Sequence, residues 1–394
     1  TASLTISFTL IVWSIAIFSK DALFVSTCYN IVWLKISCVF SRRKNMLLPA
    51  MVAAFVASIL FTPLVRKFAV RIGAVDYPND RKVHMTVIPR LGGLAIFFSF
   101  LIGYVILRPE SEYATGILIG GFIIILTGFL DDMFEINAKA KMFGQLVAAV
   151  VVITWGTLQI HFINLPFIGQ IELGYLSIPI TIIWIIGITN TINLIDGLDG
   201  LAVGVSSIAL ISMIVMALLT GGNSFVVGIS TLLVASSLGF LLFNFYPAKI
   251  FMGDTGSLFL GFMLSVLALL GFKNVTAVSL IIPIILLGVP ISDTFFAIVR
   301  RIRMKSSITA PDKSHLHHCL MKIGFSHRQT VLIIYVLAAL FGFFAILFSQ
   351  ATVWGAILLI IIMLIAIELF VEIIGLGGKG YRPLLNIIEV IFKL

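Results

Sequence analysis

The sequence predicts an all-α, polytopic integral membrane protein of about eleven transmembrane helices, with its polar, motif-bearing loops on the cytoplasmic face. Three observations carry this expectation. Hydrophobic residues fill 60% of the 394 positions and charged residues only 11%, against roughly 45–50% and about 25% in a soluble domain. Apolar residues occur in runs near the ~20-residue length that crosses a bilayer as a helix. Lysine and arginine are confined largely to alternate connections between those runs. With a mean hydropathy of +1.17, too few polar residues exist to coat a soluble core. A disordered chain, a disulfide scaffold and a nucleic-acid module are thereby excluded, despite a net charge of +9. The cysteines Cys28, Cys38 and Cys319 have neither paired nor zinc-type spacing.

Residues 1–45 are set apart. Two apolar segments, 4–18 and 22–40, are interrupted by Lys20, Asp21 and Lys35, with no glycine or proline. A signal or anchor segment is one reading, but a basic leader and a small-residue cleavage site are lacking. The preferred reading makes Met46 the natural start and 1–45 upstream sequence, leaving 46–394 as the transmembrane domain. The candidate spans from there are 47–65, 92–107, 115–130, 142–157, 179–192, 201–220, 225–243, 257–272, 276–299, 331–349 and 352–374. The stretch 158–178 alternates and contains Pro and Gly, as a small hairpin outside the bilayer would.

Cationic residues orient the bundle. The connections 66–91, 131–141, 244–256 and 300–330 carry sixteen lysines and arginines, and the intervening ones only Arg108 and Lys273. The first set is therefore placed in the cytoplasm. The tail, with Lys379, Arg382 and Lys393, is expected on the other side as a mild exception, with a position along the membrane surface as the alternative. The conspicuous polar groups fall in five connections, 66–91, 131–141, 193–200, 244–256 and 300–330, each two spans from the next. All five open on one face and can meet in one interfacial site. Carboxylates at helix ends avoid most of the cost of burial at the bilayer centre, about 2.5–3.5 kcal/mol each.

Asp131 and Asp132 end the third span. Adjacent carboxylates repel, which suits a general base or a metal-facing pair, although solvated helix-end acids fit the same string. Lys141 opens the next helix, as a phosphate contact or a topological anchor. Asn190-Thr-Ile-Asn193-Leu-Ile-Asp196-Gly-Leu-Asp199-Gly200 sets four amide or carboxylate side chains within ten residues of a short connection. So many polar groups beside apolar spans are costly without partners. The string lacks the twelve-residue EF-hand pattern. Phe251-Met-Gly-Asp254-Thr-Gly-Ser257 precedes the eighth span; Thr255 or Ser257 can cap a helix there, whose free N–H groups attract phosphate. No Walker A string exists. His315, His317 and His318 lie in the longest basic connection and suit phosphate contact better than zinc, for which the partner set is incomplete. Lys82 and Arg90 precede the second span as phosphate-binding or topology-setting cations. His327 is a single histidine, Glu135 a loop acid, and Asp293, Glu368 and Glu372 are charges within spans nine and eleven.

In combination, the Asp-Asp helix end, NTINLIDGLDGLA, FMGDTGS and the His-Leu-His-His loop resemble the polyprenyl-phosphate N-acetylhexosamine-1-phosphate transferase family. They occur in the family's order over about 47–345, and PDKSHLHHCLMKIGFSHRQT is similar to its TagO/WecA branch. Leu316 interrupts the three consecutive histidines typical of the muramoyl-pentapeptide branch. Glu135 stands where the family often has lysine.

The resemblance implies transfer of N-acetylglucosamine-1-phosphate from UDP-N-acetylglucosamine to undecaprenyl phosphate with release of UMP. That is the first membrane step of a cell-wall polymer such as a teichoic acid or O-antigen, in a bacterial cytoplasmic membrane. It further implies Mg²⁺, with Mn²⁺ as a substitute, held by Asp254 and Asn193. Asp131 and Asp132 would act at the lipid phosphate, and Asp196 and Asp199 at the uridine diphosphate. His315, His317, His318 and Arg90 would contact sugar or pyrophosphate, with Asn190, Lys82 and Lys141 completing the substrate contacts. Membrane lipid is the surrounding partner, nucleic acid is not one, and monomer and homodimer are both open. The competing readings are a phospho-N-acetylmuramoyl-pentapeptide transferase and, from another class, a secondary transporter with carboxylate ion coupling.

Overall fold

The computed structural model describes residues 44–77, 87–165, 169–272, 280–305, 307, 314–376 and 381–386. The readings of residues 1–43 and of Lys82 fall outside these residues. The described chain is a helical bundle: α1 (Lys44–Ile72), α2 (Gly92–Leu107), α3 (Ala114–Phe134), α4 (Ala138–Thr154), α5 (Ser177–Ile195), α6 (Leu201–Thr220), α7 (Ser224–Asn244), α8 (Gly253–Phe272), α9 (Ile281–Leu286), α10 (Gly288–Arg303), α11 (Leu316–Ile323), α12 (His327–Gln350) and α13 (Val353–Ile374). Among the described residues, eight helices are long and apolar enough to cross a membrane; α2, with 16 residues, and α4, with 17, are shorter. This is an integral membrane protein.

The helices outrun the apolar runs that mark them. α3 continues to Phe134, α5 to Ile195, and α8 starts four residues early, at Gly253. Each extension carries polar residues. A helix end normally leaves backbone groups unsatisfied; at the start of α8 a side chain of α3 supplies partners, while Glu135 N and Asp196 N close the ends of α3 and α5 on Asp131 O and Asn193 O. The ninth candidate span, 276–299, is instead broken. α9 stops at Leu286, Leu287 joins it to α10, and Pro290 lies in the first turn of α10, where its missing N–H costs little.

α8 is the axis of the bundle, touching α2, α3, α5 and α6. Most of its span is buried. Its N-terminal turn is approached by backbone on two sides. A Cβ at Gly93 would lie 2.1 Å from Gly256 N, and one at Gly128 would lie 2.5 Å from Thr255 Cα. Small residues allow such approach within lipid, where close packing replaces the hydrophobic drive.

Two small antiparallel pairs complete the fold. β1 (Val75–Asp76) pairs with β2 (Ile88–Pro89), and β3 (Phe162–Leu165) pairs with β4 (Gly169–Glu172) in register Phe162↔Glu172. The second pair is the hairpin anticipated in 158–178. It stands at the N-terminal end of α5, whose other end carries Asn193.

The tail corrects the sidedness expected for it. Arg300, at the end of α10, donates to Leu376 O at 2.6 Å, and Glu372 accepts from Leu384 N and Leu385 N at 2.7 and 2.8 Å. Arg303 lies over the Tyr381 ring, 5.1 Å from its centroid. α13 therefore returns the chain to the end of the bundle where α10 finishes. Of the tail cations, Arg382 stands with the basic end; Lys379 and Lys393 lie outside the described residues.

Candidate active site

At that end, a cavity of about 690 Å³ is lined by residues from every motif picked out above, including Arg90, Asp131, Asn193, Asp196, Asp199, Asp254, His317 and His318. Its volume suits a small-molecule ligand. The loop 244–252 forms one wall and is docked by backbone. Phe251 N donates to Pro89 O, while Gly92 N and Gly93 N donate to Phe251 O and Met252 O. Asn244 joins this loop to the next, taking a hydrogen bond from Gly200 N and giving one to Ile250 O. Asp199 adds a third tie by accepting from Ala248 N at 2.9 Å.

The two adjacent aspartates of α3 have different occupations. Asp132 is buried, and its oxygens accept Asp254 N at 3.0 Å, Thr255 N at 2.9 Å and Thr255 Oγ1 at 2.6 Å. It is the cap of α8, supplied by another helix. Two of the expected free N–H groups at the start of α8, those of Asp254 and Thr255, are thus already taken, while Asp132 still lines the cavity. Gly253, at φ +69°, makes the contact possible, since a Cβ there would lie 2.5 Å from Asp132 Oδ2.

Asp131 lines the cavity and accepts from Lys141 Nζ at 2.9 Å. The same ammonium bonds Asp254 and reaches Asn193 Oδ1 at 3.3 Å. Asn193 also donates to Asp254 Oδ1 at 2.7 Å and to Ser257 Oγ at 2.8 Å. Oxygens from three helices, α3, α5 and α8, therefore converge on one cation. Among the described residues no group of three His, Cys, Asp or Glu side chains forms a metal cluster. Two carboxylates and an amide oxygen nevertheless suit Mg²⁺, which takes few protein ligands and completes its shell with water and phosphate.

Asp196 lies partly buried at the cavity floor. Burial, followed by the charges of Asp254, Asp132 and Asp199, pushes its carboxyl up to about 8. Burial and then the neighbouring His318 hold the His317 imidazole down to about 3, so it is neutral at physiological pH. His317 packs against Gly197, and its Nδ1 is buried without a partner among the described residues. Arg90 is held at the rim by Glu135, 3.0 Å away, and Asp76, 3.7 Å away.

Three expected contacts do not line the cavity: Lys141, held by the oxygens of Asp131, Asn193 and Asp254, and also Asn190 and His315. Asn190 exchanges hydrogen bonds with Gln145 of α4, at 2.6 and 3.2 Å, and ties α4 to α5. His315 turns to Asp293 instead, with Nδ1 2.9 Å from Oδ2. Conversely, His327 lines the cavity, although it reads as an isolated histidine. It accepts from Asp199 N at 3.1 Å, and its ring lies 4.4 Å from that of Tyr246. Its place at the start of α12, directly after Ser326, was the available signal, because Ser326 and Gln329 form a capping box there.

Comparison with known proteins places this architecture. The family model described as glycosyl transferase family 4 matches residues 114–272. A "probable undecaprenyl-phosphate N-acetylglucosaminyl 1-phosphate transferase" of Bacillus subtilis (strain 168) is 48% identical over 348 residues, covering 88% of this chain and 97% of the relative. The chain belongs to glycosyl transferase family 4. A decaprenyl-phosphate N-acetylglucosaminephosphotransferase of Mycobacterium tuberculosis (strain H37Rv) is 35% identical, over 86% of this chain and 92% of its own. An undecaprenyl-phosphate alpha-N-acetylglucosaminyl 1-phosphate transferase of Salmonella typhi is 29% identical, over 74% and 81%. The segment matched by the glycosyl transferase family 4 model runs from the start of α3 to the end of α8. It thus contains Asp131, Lys141, Asn193 and Asp254, while the histidine-bearing α11 lies beyond it.

Proposed function

We propose that the protein transfers N-acetylglucosamine-1-phosphate from UDP-N-acetylglucosamine to undecaprenyl phosphate, releasing UMP, at the cytoplasmic face of a bacterial membrane. The observation that carries this reading is the convergence of Asp131, Asn193 and Asp254, three residues that line one cavity in a membrane bundle, on a single cationic group. The relatives named for this reaction support it.

The acceptor's hydrocarbon chain lies against apolar helix faces, with its phosphate at the mouth of the cavity. An oxygen of that phosphate bonds to the sugar-bearing phosphorus of the donor. The bond from that phosphorus to the bridging oxygen breaks, and the oxygen leaves on UMP. Both reactants are anionic, so their approach must be offset by positive charge and by alignment. Asp254, Asn193 and Asp131 would hold Mg²⁺, which supplies charge neutralisation between the two phosphates when bound. Lys141 then holds an oxygen of the acceptor phosphate, and Arg90 one of the pyrophosphate. Asp131 orients the acceptor. It has little proton to remove, because a lipid phosphate is already mostly ionised near neutrality. The neutral imidazole of His317 donates to the sugar phosphate without competing for the acidic groups. Asp196 and Asp199 line the nucleotide end, and His327 fixes the backbone of Asp199.

The test is UMP release by detergent-purified protein offered a panel of UDP-sugars, with and without polyprenyl phosphate. UMP release from UDP-N-acetylglucosamine is expected only when lipid phosphate and Mg²⁺ are present. No release with any UDP-N-acetylhexosamine overturns the proposal.

A further inference from the structure

Asp293 is a carboxylate in α10 that the reaction above does not use. It is 2% exposed, a costly position unless its oxygens are satisfied. Both are satisfied by one short segment. Oδ1 accepts from Leu316 N at 2.8 Å, and Oδ2 lies 2.9 Å from His315 Nδ1. Leu316 is the first residue of α11, and His315 is its N-cap residue, with no capping side chain of its own. Asp293 therefore caps α11 from another helix, putting negative charge where the helix dipole favours it. It also makes Nδ1 the protonated nitrogen of His315. The His315 ring stands parallel to that of His317, 6.1 Å between centroids and 2° between planes, and His317 meets His318 at 4.2 Å. His317 and His318 enter the cavity; Asp293 and His315 do not line it.

We infer that Asp293 is a positioning residue for donor binding. Through His315 and the first amide of α11 it fixes the helix that presents His317 and His318 to the UDP-sugar. Asp131, Lys141 and Asp254, on other helices, are outside its reach. The acceptor side of the reaction is therefore left largely alone. This inference rests on the transferase reading for its kinetic consequence, but not for its structural one.

The test uses the full chain in detergent, with Asp293→Ala, Asp293→Asn, His315→Ala and the Asp293→Ala/His315→Ala pair. Steady-state constants are measured separately for UDP-N-acetylglucosamine and for polyprenyl phosphate, and amide exchange over 314–324 is followed without substrate. Displacement of a contact group by about 1 Å costs up to ~100-fold. Asp293→Ala is expected to lower kcat/KM for the UDP-sugar by about tenfold to a hundredfold, leaving the KM for lipid within about twofold. Asp293→Asn keeps an acceptor for Leu316 N but turns an amide nitrogen toward His315, so it falls between wild type and Asp293→Ala. The double variant loses no more than the worse single, as for residues acting through one another. Exchange at Leu316–Cys319 quickens in both Asp293 variants. Unchanged exchange in Asp293→Asn, additive losses in the double variant, or equal loss toward both substrates overturns the inference. If wild-type protein releases no UMP, the proposed function fails, while the exchange measurement still decides whether Asp293 holds α11.

Discussion

Asp131 and Asp132 are neighbours in sequence, yet alanine at each should produce opposite signatures. Asp132→Ala deletes a buried acceptor of three hydrogen bonds, from Asp254 N, Thr255 N and Thr255 Oγ1. A hydrogen bond to a charged group contributes about 1.5–3 kcal/mol. Cavity water can recover part of that for the two amides, so the net loss is about 3–5 kcal/mol. Asp131→Ala deletes one mostly buried ion pair with Lys141, whose ammonium keeps Asp254 and Asn193 as partners, so its effect on stability is smaller, about 1–2 kcal/mol. Its effect on turnover is larger, about 100-fold, the scale for misplacing a reacting group by about 1 Å. Thermal unfolding of the detergent-solubilised variants, followed by intrinsic fluorescence, is to be read beside UMP release. A marked fall in melting temperature for Asp132→Ala, with a smaller fall and lost turnover for Asp131→Ala, is expected. Equal destabilisation by the two, or wild-type melting of Asp132→Ala, refutes the assignment of Asp132 as the cap of α8.

Asp254→Ala should abolish Mg²⁺-dependent UMP release while circular dichroism still shows a folded bundle; retained turnover removes Asp254 from the cation site. Gly197→Ala places a Cβ 2.5 Å from His317 Nε2, so the imidazole must shift, and kcat/KM for the UDP-sugar should fall about tenfold; an unchanged value shows that the His317 position is immaterial. Asp196 has a folded value of about 8, above its ordinary 3.8. The unfolded chain thus loses its proton first, and the stabilisation present below pH ~4 is lost progressively up to pH ~8. Without divalent cation, melting temperature should fall over that window, and Asp196→Asn should flatten the slope; an unaltered slope excludes Asp196 as its source.

Much of the site was legible because its chemistry is carried by short strings. Asp131, Asn193, Asp196, Asp199, Asp254, His317 and His318 sit in strings whose polar residues are conspicuous among apolar spans, and all seven reach one cavity. What the strings could not reveal was which side chains serve one another. The link from Asp132 to the α8 amides spans more than a hundred residues, as does that from His327 to Asp199. Asn190 and His315 carry suitable groups within motifs, but each faces a partner on another helix. The break at Leu287 had its signal in the nearby Pro283, Gly288 and Pro290, yet hydrophobicity alone reads through it. The start of the tail, through Leu385, was misplaced because charge was counted without following the chain's return through α13.

The β3–β4 hairpin also has a practical consequence. It projects from the end of the bundle away from the cavity, closed at its base by Leu173 N to His161 O at 2.9 Å. The β4 strand is exposed throughout. A detergent-embedded particle of 43.1 kDa offers electron microscopy little outline for alignment. An antibody fragment raised against this ribbon would give the particle a visible handle while leaving substrates free to come and go.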